Sequence, residues 1–285
     1  MEIIRIPRIM QDTCRRHILK GRSVGFVPTM GALHEGHLSL MKRAQRENDS
    51  VVVSIFVNPA QFAPAEDFAA YPRDIDNDLV KLRDLGIDSL FVPDNSLMYP
   101  SGFSTSVEVG GLSDRLCGLY RPGHFRGVAT VVAKLLNIVG PTRAYFGQKD
   151  FQQTVVIRRM VKDLNMDAEI VVCPTKREED GLAMSSRNRY LNPQERTAAA
   201  SLYRAMTLVS EDLRSGTKSP AALKEMLHAA LAKEPLITGI DYAGIFHPET
   251  LDELQETGRL REVLIAVAAR LGKTRLIDNI VVNLG

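Results

Sequence analysis

At 285 residues, 45% of them apolar, the chain has enough hydrophobic material for a sizeable core and enough length for two domains. Thirty-six basic side chains against 34 acidic ones leave a net charge of +2 with the signs interspersed, which gives no field for nucleic acid or an anionic membrane surface. The three separated cysteines, Cys14, Cys117 and Cys173, argue against a disulfide framework or a cysteine zinc site and fit a reducing cytoplasm. No apolar run reaches the roughly 18 residues of a membrane span, and the mixed charges of MEIIRIPRIMQDTCRRHILKGR do not fit a signal peptide.

In chain order, residues 8 to 20 read as a short helix. Val24 to Val27 reads as a strand feeding a turn with Gly31 and Gly36, then LSLMKRAQREN as a helix and Val51 to Val57 as a continuous apolar strand. Strand, glycine turn, helix and strand make a βαβ unit with parallel strands. The prolines of NPAQFAPAEDFAAYPRD predict a long loop over 58–74, and long loops beside a sheet edge often form binding walls. Asp74 to Leu85 predicts a helix stopped by a left-handed Gly86, and Ile87 to Val92 a third strand. Residues 93 to 127 look irregular, with SVEVGG a candidate short strand. Val128 to Val139, apolar almost all round, predicts a helix packed between sheet and partner surface; burial within the chain is the commoner case, a dimer interface the other. Ala144 to Phe146, Phe151 to Asn165 and Glu169 to Cys173 follow as strand, helix and strand.

This alternation predicts a Rossmann-like, doubly wound parallel α/β sheet, in which ligands bind beyond the carboxyl ends of the strands. Met30 to His37, Asn58 to Phe62, Gly147 to Gln153 and Pro174 to Lys176 all follow strands and are expected on that edge. Past Arg177, Pro193 to Arg214 reads as one helix behind Asn192 and Ser219 to Lys233 as another behind Ser219. Asp241 to Phe246, Val263 to Arg270 and Leu276 to Val282 read as strands, the last two joined by a tight hairpin. The expected division is 1–178, a Rossmann-like nucleotide-binding domain, and 179–285, a smaller C-terminal α+β domain.

The stretch VGFVPTMGALHEGH places Met30, Gly31, Ala32, Leu33, His34, Glu35, Gly36 and His37 at a helix N-terminus. Backbone N–H groups and the helix dipole favour an anion there, and His34 and His37, three apart, would share one face. Gly31 to Gly36 has Walker A spacing, but His37 stands where the lysine belongs; helical zinc pairs want histidines four apart, so no metal ligands are assigned. Gly147, Gln148, Lys149 and Asp150 offer an ammonium and a carboxylate after a strand, suited to phosphate and ribose, though an exposed turn looks the same. Met184, Ser185, Ser186 and Arg187 supply hydroxyls and a guanidinium for a triphosphate; a helix-capping role is disfavoured because no helix is expected before Pro193. Gln61 and Gln153 could bond a polyol acid. Asp74, Asp76 and Asp78 suit a helix N-terminus as well as a metal, and Arg121, His124 and Arg126 are left outside the site.

TMGALHEGH, VNPAQF, FGQKDFQQ and GLAMSSRNRYL together resemble the pantoate–β-alanine ligase family within the HxGH nucleotidyltransferases, over nearly the whole chain. The resemblance implies ATP-dependent joining of pantoate and β-alanine through an acyl adenylate, with release of AMP and pyrophosphate. It makes His37, His34 and Lys149 catalytic, Gln61 and Gln153 the pantoate-binding pair, and Met30 and Phe62 apolar walls. It aligns Met184 to Arg187 with the mobile KMSKS loop of the superfamily, and Pro174 to Lys176 with an adenine-holding backbone segment where relatives often carry an apolar residue in place of Lys176. It also implies a homodimer, and any Mg²⁺ is more simply carried by the ATP phosphates than by protein ligands. A simple adenylyltransferase of the same superfamily, or a silent nucleotide-binding regulator, are the alternatives.

Overall fold

Six parallel strands form the first of two sheets among the described residues, in the order β1-β4-β3-β2-β5-β6. The computed structural model describes residues 1–64, 66–216, 219–258 and 260–285, so residue 65 of the expected 58–74 loop lies outside the described residues. The elements run β1 (Glu2–Ile4), α1 (Pro7–Leu19), β2 (Val24–Thr29), α2 (Glu35–Glu47), β3 (Ser50–Ile55), α3 (Ile75–Asp84), β4 (Ser89–Phe91), α4 (Asn95–Met98), α5 (Cys117–Tyr120), α6 (His124–Val139), β5 (Arg143–Gly147), α7 (Phe151–Asp163) and β6 (Glu169–Cys173). There follow α8 (Pro193–Ala199), α9 (Ser201–Ser215), α10 (Pro220–Ala232), β7 (Ile237–Phe246), β8 (Glu262–Leu271) and β9 (Thr274–Asn283).

Two compact units divide the chain: Met1–Asp114, Arg121–Gln148 and Gln153–Pro174 make the first, and Arg115–Tyr120, Lys149–Gln152 and Thr175–Gly285 the second. In the first, the chain winds outward from β2 through β3 to β4, then returns to lay β5 and β6 on the other side. The reversal falls between β2 and β5, the place where doubly wound sheets open a crevice. The pairing follows suit: β2 stays registered with β3 through Thr29–Ile55 and β5 with β6 through Gly147–Cys173, but β2 and β5 pair only at Gly25–Arg143 and Phe26–Ala144. Beyond Phe26 the central strands separate toward their carboxyl ends. Val27, Leu33, Met41, Val53, Leu90 and Tyr145 bury one face of this sheet beneath α2.

The second unit packs α9 and α10 on the antiparallel sheet β7-β8-β9 around Leu202, Met206, Leu227, Ile265 and Val267. β8 and β9 are joined by the predicted tight hairpin, closed by Leu271 pairing with Thr274.

Several expectations are corrected. SVEVGG forms no strand; the Val107 N–H bonds to Thr130 Oγ1 of α6 at 2.9 Å instead of to a neighbouring strand. The helix expected over 193–214 breaks at Ala200, a break hidden because Ala198 to Ala200 favours helix on both sides of it. α6 starts four residues early, at His124, because Gly127 sits in its first turn: a Cβ there would lie 2.2 Å from the Ala60 carbonyl oxygen, so glycine marks close packing and not a loop. The edge strand β1 was not anticipated. Gly86 does end α3 in the left-handed conformation at φ +72°.

Candidate active site

The crevice edge of β2 carries the residues on which the sequence argument turned. Gly31 and Ala32 both adopt left-handed backbone, at φ +82° and +50°. Such a pair aims successive N–H groups at one point, a natural anion nest, but here the protein fills it. The carboxylate of Asp78, from α3, accepts from Ala32 N–H at 2.8 Å and Leu33 N–H at 2.7 Å, while Gly31 N–H donates to Thr29 Oγ1 at 3.2 Å. Lys81, one helical turn on, donates to the Leu33 carbonyl at 2.6 Å. The amides of residues 31 to 33 are therefore committed internally. The expected helix N-terminus is that of α2, which starts at Glu35, and within its first turn the His37 N–H donates to the His34 side chain in a capping box.

Asp78 is 1% exposed. Burial pushes its carboxyl above the ordinary aspartate range, while the Leu33 and Ala32 amides and the Lys81 ammonium pull it back. Asp74 caps α3 by accepting from Asn77 N–H, so of the three acids one serves the helix end and one the loop.

His34 and His37 stack at the start of α2, ring centroids 4.0 Å apart and planes tilted by 35°. His37 Nδ1 accepts the His34 main-chain N–H at 3.4 Å. In the neutral ring that leaves the proton on Nε2, making this nitrogen a donor. Both side chains are half-buried and Glu35 is exposed.

Also in the first unit, Gln61 lies in a 3-10 turn, Pro59–Gln61, behind the buried Asn58. Its side-chain amide reaches Met30 Sδ at 3.3 Å, so Met30 and Gln61 do come together. Phe62 packs edge-on against Phe68 and Tyr71 at 5.4 and 5.9 Å, giving the expected apolar wall a rigid backing. Arg121 and His124, left outside the site by the sequence reading, both bond to the Gln61 carbonyl. Gln153 is half-buried on α7, Gly147 ends β5, and Gln148 opens the 3-10 turn Gln148–Asp150 that follows it.

Three other expected segments meet within the second unit through β9. Asn279 donates from Nδ2 to the Lys149 carbonyl at 2.9 Å, and Asp278 binds Arg177 through both carboxylate oxygens at 2.6 and 3.0 Å. Arg177 bridges to Ala183, and Met184 N–H donates to the Lys176 carbonyl at 3.0 Å, so Lys176 and Met184 are held side by side. Lys149 Nζ lies 3.6 Å from Asp150 Oδ1. Ser185 caps a 3-10 turn, Ser186–Tyr190, accepting from Arg187 N–H at 3.3 Å. A helical turn therefore does follow the serines, contrary to expectation, and Ser185 has the capping role that the sequence reading disfavoured.

Lys81, Asp278, Asn279 and Tyr99, whose hydroxyl donates to Asn58 Oδ1 at 2.7 Å, were missed, as were the contacts of Asn58 and Asp78. Asn58 stood inside the quoted VNPAQF and Asp78 inside the acid trio; the others left no local signal.

The family model for pantoate-beta-alanine ligase matches residues 2–281. The pantothenate synthetase of Thermodesulfovibrio yellowstonii is 59% identical over 283 residues, covering 99% of this chain and 100% of that protein. A crystal structure of pantothenate synthetase from Thermus thermophilus superposes with a TM-score of 0.92 at 48% identity, over 98% of this chain and 99% of that one. A Francisella tularensis pantoate-beta-alanine ligase, complexed with beta-gamma ATP and beta-alanine, gives 0.78 at 36% identity, over 98% and 97%. The chain belongs to the pantoate-beta-alanine ligase family.

Proposed function

We propose that this enzyme condenses pantoate with β-alanine in two steps at the expense of ATP, releasing pyrophosphate and then AMP. The observation that carries the site assignment is the histidine pair at the α2 N-terminus, on the crevice edge of the sheet, with His37 Nε2 set as a donor by the bond at Nδ1.

In the first step the pantoate carboxylate attacks the α-phosphorus of ATP. A carboxylate is already a competent nucleophile, so the chemistry calls for alignment and for donors matched to growing charge. His37 donates to the α-phosphate as that charge develops; His34, Lys149, Ser185, Ser186 and Arg187 hold the departing pyrophosphate. Gln61 and Gln153 bind pantoate against Met30 and Phe62, and the 174–176 backbone holds adenine. In the second step the β-alanine amine attacks the acyl carbon and AMP leaves.

Mg²⁺ would shield the triphosphate charge and travel with the nucleotide. Two of the acid trio weighed as metal ligands support this: Asp78 has both oxygens on backbone amides and Asp74 caps a helix. Among the described residues no helix is long and apolar enough to cross a membrane. The same proposal takes residues 1–178 as the nucleotide- and pantoate-binding domain and 179–285 as a lid, in a cytoplasmic homodimer.

The test is sequential: ATP plus pantoate should release pyrophosphate, and AMP should appear only once β-alanine is added. A simple adenylyltransferase would stop before the second event. AMP release without β-alanine, or no pyrophosphate with pantoate, refutes the proposal.

A further inference from the structure

Gln61 is gripped at both ends. Its main-chain carbonyl accepts from His124 Nδ1 at 2.8 Å and Arg121 Nη2 at 3.3 Å, and Arg121 is itself paired with Glu66 at 2.6 Å. Its side-chain Oε1 accepts from Asn58 Nδ2 at 3.1 Å.

The orientation of Asn58 is set by groups that cannot invert. Its Oδ1 accepts from Ala60 N–H at 3.3 Å and its Nδ2 donates to the Gly127 carbonyl at 3.1 Å. Turning the amide over would set N–H against N–H and C=O against C=O. Tyr99 adds a shorter bond, from its hydroxyl to the same Oδ1 at 2.7 Å, and burial pushes that phenol up to about 12, so it stays protonated. Gly127 reaches this position because α6 has no side chain there to keep the Ala60 turn away.

With Asn58 fixed, Gln61 is fixed too. Its Oε1 faces Asn58, and its NH₂ faces Met30 Sδ, a weak acceptor that a ligand oxygen outbids. We propose that Tyr99 is a positioning residue that, through Asn58, holds Gln61 as an obligate hydrogen-bond donor, so that this wall selects an oxygen acceptor on the hydroxy-acid substrate. The inference rests on Gln61 facing pantoate, and its test separates the two.

The measurement is KM for pantoate and for ATP, with kcat and melting temperature, for Gln61→Ala, Asn58→Asp and Tyr99→Phe. Aspartate at 58 cannot donate to Gln61 Oε1, so the glutamine amide turns over and presents oxygen to oxygen. Asn58→Asp should raise the pantoate KM by about a hundredfold, and Tyr99→Phe by about tenfold, the worth of two bonds and of one. The ATP KM should stay within about twofold in both. If Gln61→Ala leaves the pantoate KM unchanged, the placement of pantoate is wrong. If Gln61→Ala raises it but Tyr99→Phe, folded and stable, does not, or if Tyr99→Phe moves both KM values and the melting temperature together, the positioning role is wrong.

Discussion

Replacing Asp78 with alanine tests whether the histidine turn is set from outside. The carboxyl group is 1% exposed and takes two main-chain amides at 2.8 and 2.7 Å, so both oxygens serve as acceptors. Asp78→Ala leaves two buried N–H groups without this acceptor, at about 1–3 kcal/mol each. Removing a carboxylate that burial disfavours returns part of that, for a net loss of about 2–4 kcal/mol. Against a typical total of about 5–15 kcal/mol the protein still folds, with a melting temperature lower by on the order of 5–15 °C. Its folded pKa lies above the unfolded one, so the contribution of Asp78 is fullest below the ordinary aspartate range and declines as pH rises through the folded value. The gap to the variant should therefore narrow from acid toward neutral pH. Activity should suffer more than stability: Ala32 at φ +50° relaxes once released, and a shift of about 1 Å in His34 and His37 costs about 10²-fold. Single-turnover pyrophosphate release beside a thermal melt reads both effects. Near-normal release from a destabilised variant would reduce Asp78 to a packing residue.

His37→Ala and Lys149→Ala should each slow adenylate formation by about 10²–10³ while the fold stays intact; release at the wild-type rate refutes the assignment. Glu66→Gln tests the brace on Gln61 by pH: burial opposes ionisation of Glu66, but Arg121 holds its carboxyl below the ordinary glutamate range. The stability it supplies is present above that range and lost as pH falls through the lowered value, so the melting-temperature gap to the variant should close in acid; a gap that widens there is the contrary result. Arg177→Ala strands Asp278, 4% exposed, without its cation and should cost about 3–5 kcal/mol in denaturant unfolding. Gly127→Ala drives a methyl to 2.2 Å from the Ala60 carbonyl oxygen and should cost about 1–3 kcal/mol while raising the pantoate KM; an unchanged KM would detach α6 from the site.

The parts of the fold legible in sequence are those written in local period and punctuation. VVVSIFV between a helical stripe and a proline loop predicts β3, and the glycine after DL predicts the end of α3. Strand order is not local. Nothing in EII announces that β1 pairs with β4 rather than with β2, and the alanines around residue 200 conceal a break because both helices want them. The bulges between Ile237 and Tyr242 hide the first part of β7 in the same way, by interrupting the alternation that marks a strand. The site divides along the same line: histidines three apart and a lysine after a strand carry their chemistry in their type. Asp78, 46 residues from Ala32, looked like a helix-start acid because its acceptor role exists only once α3 meets the turn that follows β2.

That hidden contact changes how the turn works. A P-loop binds phosphate with the N–H groups of its own glycine turn and a lysine; here the equivalent N–H groups close on an internal carboxylate. On the proposed function, affinity for the triphosphate then comes from side chains and from the α2 N-terminus, and side chains can be withdrawn or repositioned between steps in a way that a backbone nest cannot. That suits a reaction whose first product, pyrophosphate, has to leave while the acyl adenylate stays. It also gives Asp78 a second effect: by occupying the nest, it keeps any other acceptor off the Ala32 and Leu33 amides. An Asp78→Asn variant offers one oxygen and one NH₂ to two N–H groups, so it should lose catalysis almost as fully as alanine does, although it fills the same volume. Retention of full activity by the asparagine would show that shape alone, and not the carboxylate, holds the turn.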